Sequence, residues 1–98
     1  MLMKNILNNG REHILTLNNY PNGQLAVYLK DNNGYPMAEL SIMEDDIHLN
    51  RNEFIFKNYS ENNDLSQELL NTNIIKPTNK FVIIGSHLCP ICYIANYV

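Results

Sequence analysis

The chain reads as a small α+β domain: a twisted, mostly antiparallel sheet of about five or six strands in a meander, with one short helix packed on one face. Three observations predict it. Two alternating apolar runs, Leu25 to Leu29 and Ala38 to Ile42, flank the turn-forming stretch Asp31-Asn32-Asn33-Gly34. One segment, Asp64 to Thr72, carries leucines at helical spacing. Phe81-Val82-Ile83-Ile84 is an uninterrupted apolar run of strand length.

Met1 to Leu7 is a first short strand and Glu12 to Leu17 a second, with Asn8-Asn9-Gly10 as the turn between them. A further turn at Asn19 to Gly23 contains Pro21, which has no N–H to give to a ladder and so belongs in a loop. The hairpin follows. Leu25, Val27 and Leu29 share one face of its first strand, and Ala38, Leu40 and Ile42 share one face of its second. Asn and Gly tolerate the positive φ that tight connections need, so the turn between them has a mechanism. Glu53 to Lys57 is a short strand with Phe54 and Phe56 on one face.

Ser60, Asn62 or Asn63 can accept the free N–H groups of a first helical turn, and Glu61 and Asp64 suit the positive end of the helix dipole. Leu65, Leu69 and Leu70 then form the apolar side of a helix that Asn73 ends and Pro77 prevents from resuming. The run Phe81 to Ile84 predicts a central strand buried on both faces, ended or bulged by Gly85. The apolar tail from Ser86 to Val98 is expected to dock as a last strand or against the helix.

A chain of 98 residues, 45% hydrophobic and 17% charged, is a single globular domain over 1–98 with one core. Asparagine pairs such as Asn8-Asn9, Asn32-Asn33 and Asn62-Asn63 point to an AT-rich genome rather than to a binding code. The net charge of -3, with seven scattered basic residues, argues against a direct grip on nucleic acid, which needs clustered Lys and Arg. No apolar run approaches the roughly 20 residues of a membrane span, and the N-terminus is too interrupted for a signal peptide. A cytoplasmic location without membrane contact is expected.

Nothing in the spacing assembles a Ser-His-Asp or Cys-His-Asp set, and the glycines Gly10, Gly23, Gly34 and Gly85 serve turns or strand ends rather than a phosphate loop. The chain is not expected to be an enzyme or to carry a cofactor. His87-x-Cys89-Pro90-x-Cys92 is the sharpest motif. It is half of a zinc knuckle, with a fourth ligand missing, or a redox pair without the helix N-terminus that activates a thiol. The simplest reading is two small buried side chains that pack as hydrophobes. His13 and His48 fall at strand surfaces and anchor no site. Six tyrosines offer contact residues for a protein interface, although singly each suits a half-buried sheet position.

The order NGQLAVYLKDNNGYPMAELSI, KNYSENNDLSQELLNTNII and GSHLCPICYI resembles a family of small uncharacterised proteins of phages, plasmids and other mobile elements of Firmicutes and Bacteroidetes. The matching positions are Asn22-Gly23, Leu25 to Leu29, Gly34 to Ile42 and Tyr59-Ser60-Glu61-Asn62, within residues 20–94. Some members are associated with inhibition of CRISPR nucleases. The resemblance therefore implies a non-enzymatic anti-CRISPR inhibitor acting in the host cytoplasm, with an effector nuclease as its protein partner. Such nucleases hold nucleic acid in positively charged channels, which an acidic protein can approach by charge complementarity. Glu44, Asp45, Asp46, Glu53, Glu61 and Asp64 are the partner-binding candidates, because they fall in two loops and a short strand. Two other classes stay open: a self-associating module of a mobile element, homodimeric through an edge strand or the tail, and a metal or redox protein built on Cys89, Cys92 and His87.

Overall fold

In the computed structural model, the backbone is described for residues 2–8 and 11–95, and the side chains for 12–60, 62, 63 and 65–95. The elements are β1 (Leu2–Asn8), β2 (Arg11–Asn19), β3 (Leu25–Asp31), β4 (Pro36–Glu39), β5 (Ser41–Ile42), β6 (Glu53–Phe56), α1 (Asn63–Leu70), β7 (Ile75–Ile84) and β8 (His87–Ile94). The α+β class and antiparallel pairing are those the sequence predicts. The strands form two four-stranded sheets, ordered β1-β2-β3-β4 and β5-β6-β8-β7, where one sheet of fewer strands was expected.

The split occurs inside the predicted hairpin. Leu25, Val27 and Leu29 point into the core as their alternation requires, and the turn closes with Gly34 N–H donating to Asp31 C=O at 3.0 Å and Gly34 at φ 87°. The returning strand then changes partner at the fully buried Leu40. Its N–H donates to Val27 C=O in the first sheet (2.8 Å), while its C=O accepts from Lys57 N–H beside the second (2.8 Å). One residue thus carries the chain from sheet to sheet with both backbone groups satisfied.

Side chains lock this corner. The Tyr20 hydroxyl lies 2.6 Å from Glu39 Oε2, 2.8 Å from Ser41 Oγ and 3.1 Å from Ser41 C=O. Ser41 Oγ also accepts the Val27 N–H at 2.8 Å. Burial, then the Glu39 carboxylate, pushes the Tyr20 phenol well above its ordinary pKa, so it remains a donor. Asn62, fully buried, donates its amide N–H groups to Glu39 C=O and Lys57 C=O, both at 2.9 Å. Its side chain is therefore committed to the corner, and α1 begins at Asn63 without the side-chain cap that the sequence allowed. Asn73, at φ 63°, stands just beyond the helix as the left-handed stop its sequence predicts.

Leu15, Leu17, Leu25, Val27 and Leu29 from the first sheet meet Phe54, Phe56, Cys92 and Ile94 from the second. Leu65, Leu69 and Leu70 of α1 complete this core. The Phe54 and Phe56 rings pack tilted, with centroids 5.8 Å apart. All four residues of β6 are buried, because a second cluster lies on the other face of its sheet. There Ile55, Cys89 and Ile91 are covered by Ile47 and Leu49 of the loop between β5 and β6.

The run Phe81 to Ile84 is not the central strand that its continuous hydrophobicity predicted. β7 is the edge of its sheet, and β8, the chain's last strand, takes the central position between β6 and β7. Val82 and Ile84 pack into the second cluster, but Phe81 and Ile83 are 57% and 73% exposed. By register they lie on the core face, beyond the part that the first sheet covers. Of the turns, Asn9 and Gly10 lie outside the described residues, as do Met1 and Asn96 to Val98.

Replacing Tyr20 with Phe is expected to lower unfolding free energy by about 1–3 kcal/mol, since it removes the hydroxyl that donates to the Glu39 carboxylate and leaves the buried Ser41 hydroxyl without that partner. The nearly isosteric Asn62→Asp turns two donors into acceptors facing carbonyl oxygens and is expected to cost about 3 kcal/mol or more. Urea denaturation of both variants measures these effects; a change within error of wild type would remove the corner from its structural role.

Candidate functional site

The acidic candidates divide sharply once placed. Glu44, Asp45 and Asp46 lie in the loop that follows β5, with Asp45 and Asp46 exposed. The turn before β3 grips this loop. Gln24 donates from Nε2 to Glu44 C=O (2.7 Å) and Ile47 C=O (2.9 Å), and accepts the Glu44 N–H on Oε1 (2.9 Å). Asn22 donates to Asp45 Oδ1 at 2.8 Å. Below, Ile47 and Leu49 anchor the loop in the second cluster. An irregular segment thus acquires a fixed backbone path, with the Asp45 carboxylate held by Asn22 and Asp46 exposed beside it.

Between the loop and the Asn22–Gln24 turn lies an open polar cleft of about 250 Å³. Asp45, His48, Asn50 and Arg51 line its other side. Its dimensions suit one polar side chain of a partner better than a cofactor, whose sites are typically about 300–1,000 Å³. A larger, shallower groove of about 460 Å³ runs along β4 between Tyr28, Lys30, Met37 and Glu39.

Glu53 is not part of an exposed patch. It is 6% exposed, accepts the Asn50 N–H at 2.8 Å and pairs with Lys80 at 3.3 Å. Its carboxylate fastens the end of the acidic loop to β7, a structural role in place of the partner-binding one that its sequence position suggested. The short strand that made Glu53 seem accessible is covered on both faces. The side chains of Glu61 and Asp64 lie outside the described residues; the backbone puts Glu61 in the short helical turn Ser60–Asn62 and Asp64 in α1.

The Cys-x-x-Cys pair is also resolved by its strand. Residues three apart on an extended strand point to opposite faces, about 10 Å along the chain. Cys92 lies in the main core, Cys89 in the second cluster across the sheet, and both are free thiols. They cannot share an ion or form a disulfide with one another while β8 is intact. His87 stacks instead on Tyr59, with ring centroids 3.8 Å apart and planes within 1°. Among the described residues no three His, Cys, Asp or Glu side chains gather as a metal site.

The sequence reading missed Gln24, Asn22 and Tyr20, the residues that position the acidic loop and its corner. Each sits in a segment that looks like an ordinary polar turn. Among the described residues no helix is long and apolar enough to cross a membrane. Comparison of the chain with family models, with curated proteins and with solved structures finds no match.

Burial raises the thiol of Cys89 and pushes that of Cys92 up to about 12, from an ordinary value of 9.0. The folded state then holds a proton that the unfolded chain releases. Stability from this source is complete below pH 9 and is lost as pH rises toward 12, by up to about 1.4 kcal/mol per pH unit for one thiol. Stability measured between pH 8 and 11 should fall more gently in Cys92→Ala than in the native protein, whatever the variant's starting level. Parallel slopes would contradict it. Native protein should also react slowly with iodoacetamide at pH 8 and rapidly once unfolded.

Proposed function

We propose that the protein is a non-enzymatic binding protein that inhibits a host defence complex, a CRISPR effector nuclease, through the acidic loop at residues 44–46. The supporting observation is the pre-organisation of that loop. Gln24 and Asn22 fix its backbone and one carboxylate, while Asp45 and Asp46 remain exposed. A loop already ordered loses little conformational entropy on binding, so more of its contact energy appears as affinity. Two adjacent carboxylates on a fixed loop complement Arg and Lys, the residues that line a nuclease's nucleic-acid channel. With a net charge of -3, the protein engages one basic patch rather than replacing a whole nucleic-acid strand.

The test is DNA cleavage by a panel of guide-loaded effector nucleases with the purified protein added. Cleavage by at least one nuclease should slow in proportion to the protein, and Asp45→Lys/Asp46→Lys should lose at least about tenfold in potency with its thermal unfolding little changed. Undiminished cleavage across the panel, or full potency in the doubly reversed variant, would refute the reading.

A further inference from the structure

We infer that the protein forms a two-fold dimer in which β7 pairs antiparallel with β7 of a second copy, centred on Val82. The inference stands independently of the inhibitor reading.

β7 is the outermost strand of its sheet, so every other residue turns its N–H and C=O away from β8. Ile84 faces His87 across the two-residue turn Gly85-Ser86, with Gly85 at φ 61°. The pair closing such a turn is a hydrogen-bonded pair, and alternation then assigns Val82 and Lys80 to bonding with β8. The backbone groups of Phe81 and Ile83 therefore face outward.

The length of regular strand fixes the register. At one end the pairing shifts between Pro77 and Lys80, where Asn79 adopts φ 70°; at the other the chain turns at Gly85. The regular stretch is Lys80–Ile84, five residues. A segment of that length pairs with its own copy over its whole extent in one antiparallel register only, with Val82 opposite Val82. Phe81 then faces Ile83 of the second copy and the outward groups close about four hydrogen bonds.

Side-chain chemistry favours the same partner. Phe81, Ile83 and the neighbouring Leu88 are 57%, 73% and 61% exposed, and Ile83 and Leu88 are direct cross-strand partners. Two-fold pairing brings both copies' stripes to one face. Lys80 falls opposite Ile84, so like charges do not meet. Two other edges carry guards against such pairing: β4 begins at Pro36 and ends at Glu39, and β5 has two residues. The last four residues of β7 contain neither charge nor proline.

At roughly 200 Å² per large apolar side chain, the three exposures leave on the order of 350–400 Å² of apolar surface per copy. A standard stable interface takes about 800 Å² per partner, so with the strand backbone added the dimer should dissociate on the order of micromolar concentration.

Sedimentation velocity over a concentration series from below to well above that range provides the test. The native protein should pass from monomer to dimer and stop there, and Ile83→Lys should weaken dimerisation at least about tenfold with unchanged thermal unfolding. A native protein that stays monomeric throughout, assembles beyond a dimer, or dimerises equally well with Ile83→Lys overturns the proposal. Oxidation reads the register separately: with Cys89→Ala in both proteins, because Cys89 lies directly across from Val82, Val82→Cys should cross-link between copies much faster than Phe81→Cys, and the reverse order would overturn pairing centred on Val82.

Discussion

The structure depends on the passage of the chain through Leu40, whose amide proton belongs to one sheet and whose carbonyl belongs to the other. A strand that leaves one ladder for another must expose backbone groups somewhere, and buried unpaired groups are costly. Here the exposed groups on either side of Leu40 are taken up by Tyr20, Ser41 and Asn62. These polar contacts tie the end of the first sheet to the start of the second. The fully buried Leu40 side chain fills the space between them.

Crossing at this corner has a consequence for the opposite face of the second sheet. β5 is only two residues long, and the chain must then travel to β6 through the segment that holds Glu44, Asp45 and Asp46. That segment is drawn over Ile55, Cys89 and Ile91 by its own Ile47 and Leu49, giving β6 and β8 burial on both faces. The same packing that shields a cysteine from reagent therefore sets the acidic residues on the surface in a fixed arrangement. Structural closure and the candidate binding feature have one origin.

Much of the local organisation was legible in the sequence because it depends on neighbours along the chain. Alternation placed Leu25, Val27 and Leu29 together, asparagine and glycine marked the turns, and the leucines of α1 announced a helix with one apolar side. The acidic loop was legible as exposed carboxylates at Asp45 and Asp46, but Glu53 was not distinguishable from them: four consecutive buried residues in β6 require cover on both faces, and that the preceding loop folds back over one face while the first sheet covers the other is decided by tertiary packing. The cysteine arrangement could have been read, since a separation of three on any strand sends two side chains to opposite faces.

By itself the sequence determined the class of the domain, its antiparallel character, the position of its helix and most of its turns, through side-chain periodicity and the φ preferences of asparagine and glycine. Tertiary structure alone decided that the strands divide into two sheets at Leu40, that β8 rather than β7 is central, and that Gln24 holds the acidic loop. Periodicity records which side of a strand is apolar; it carries no record of which strand lies alongside. That choice is made by contacts between residues far apart in the chain, where Tyr20 meets Ser41, Asn62 meets Glu39 and Glu53 meets Lys80.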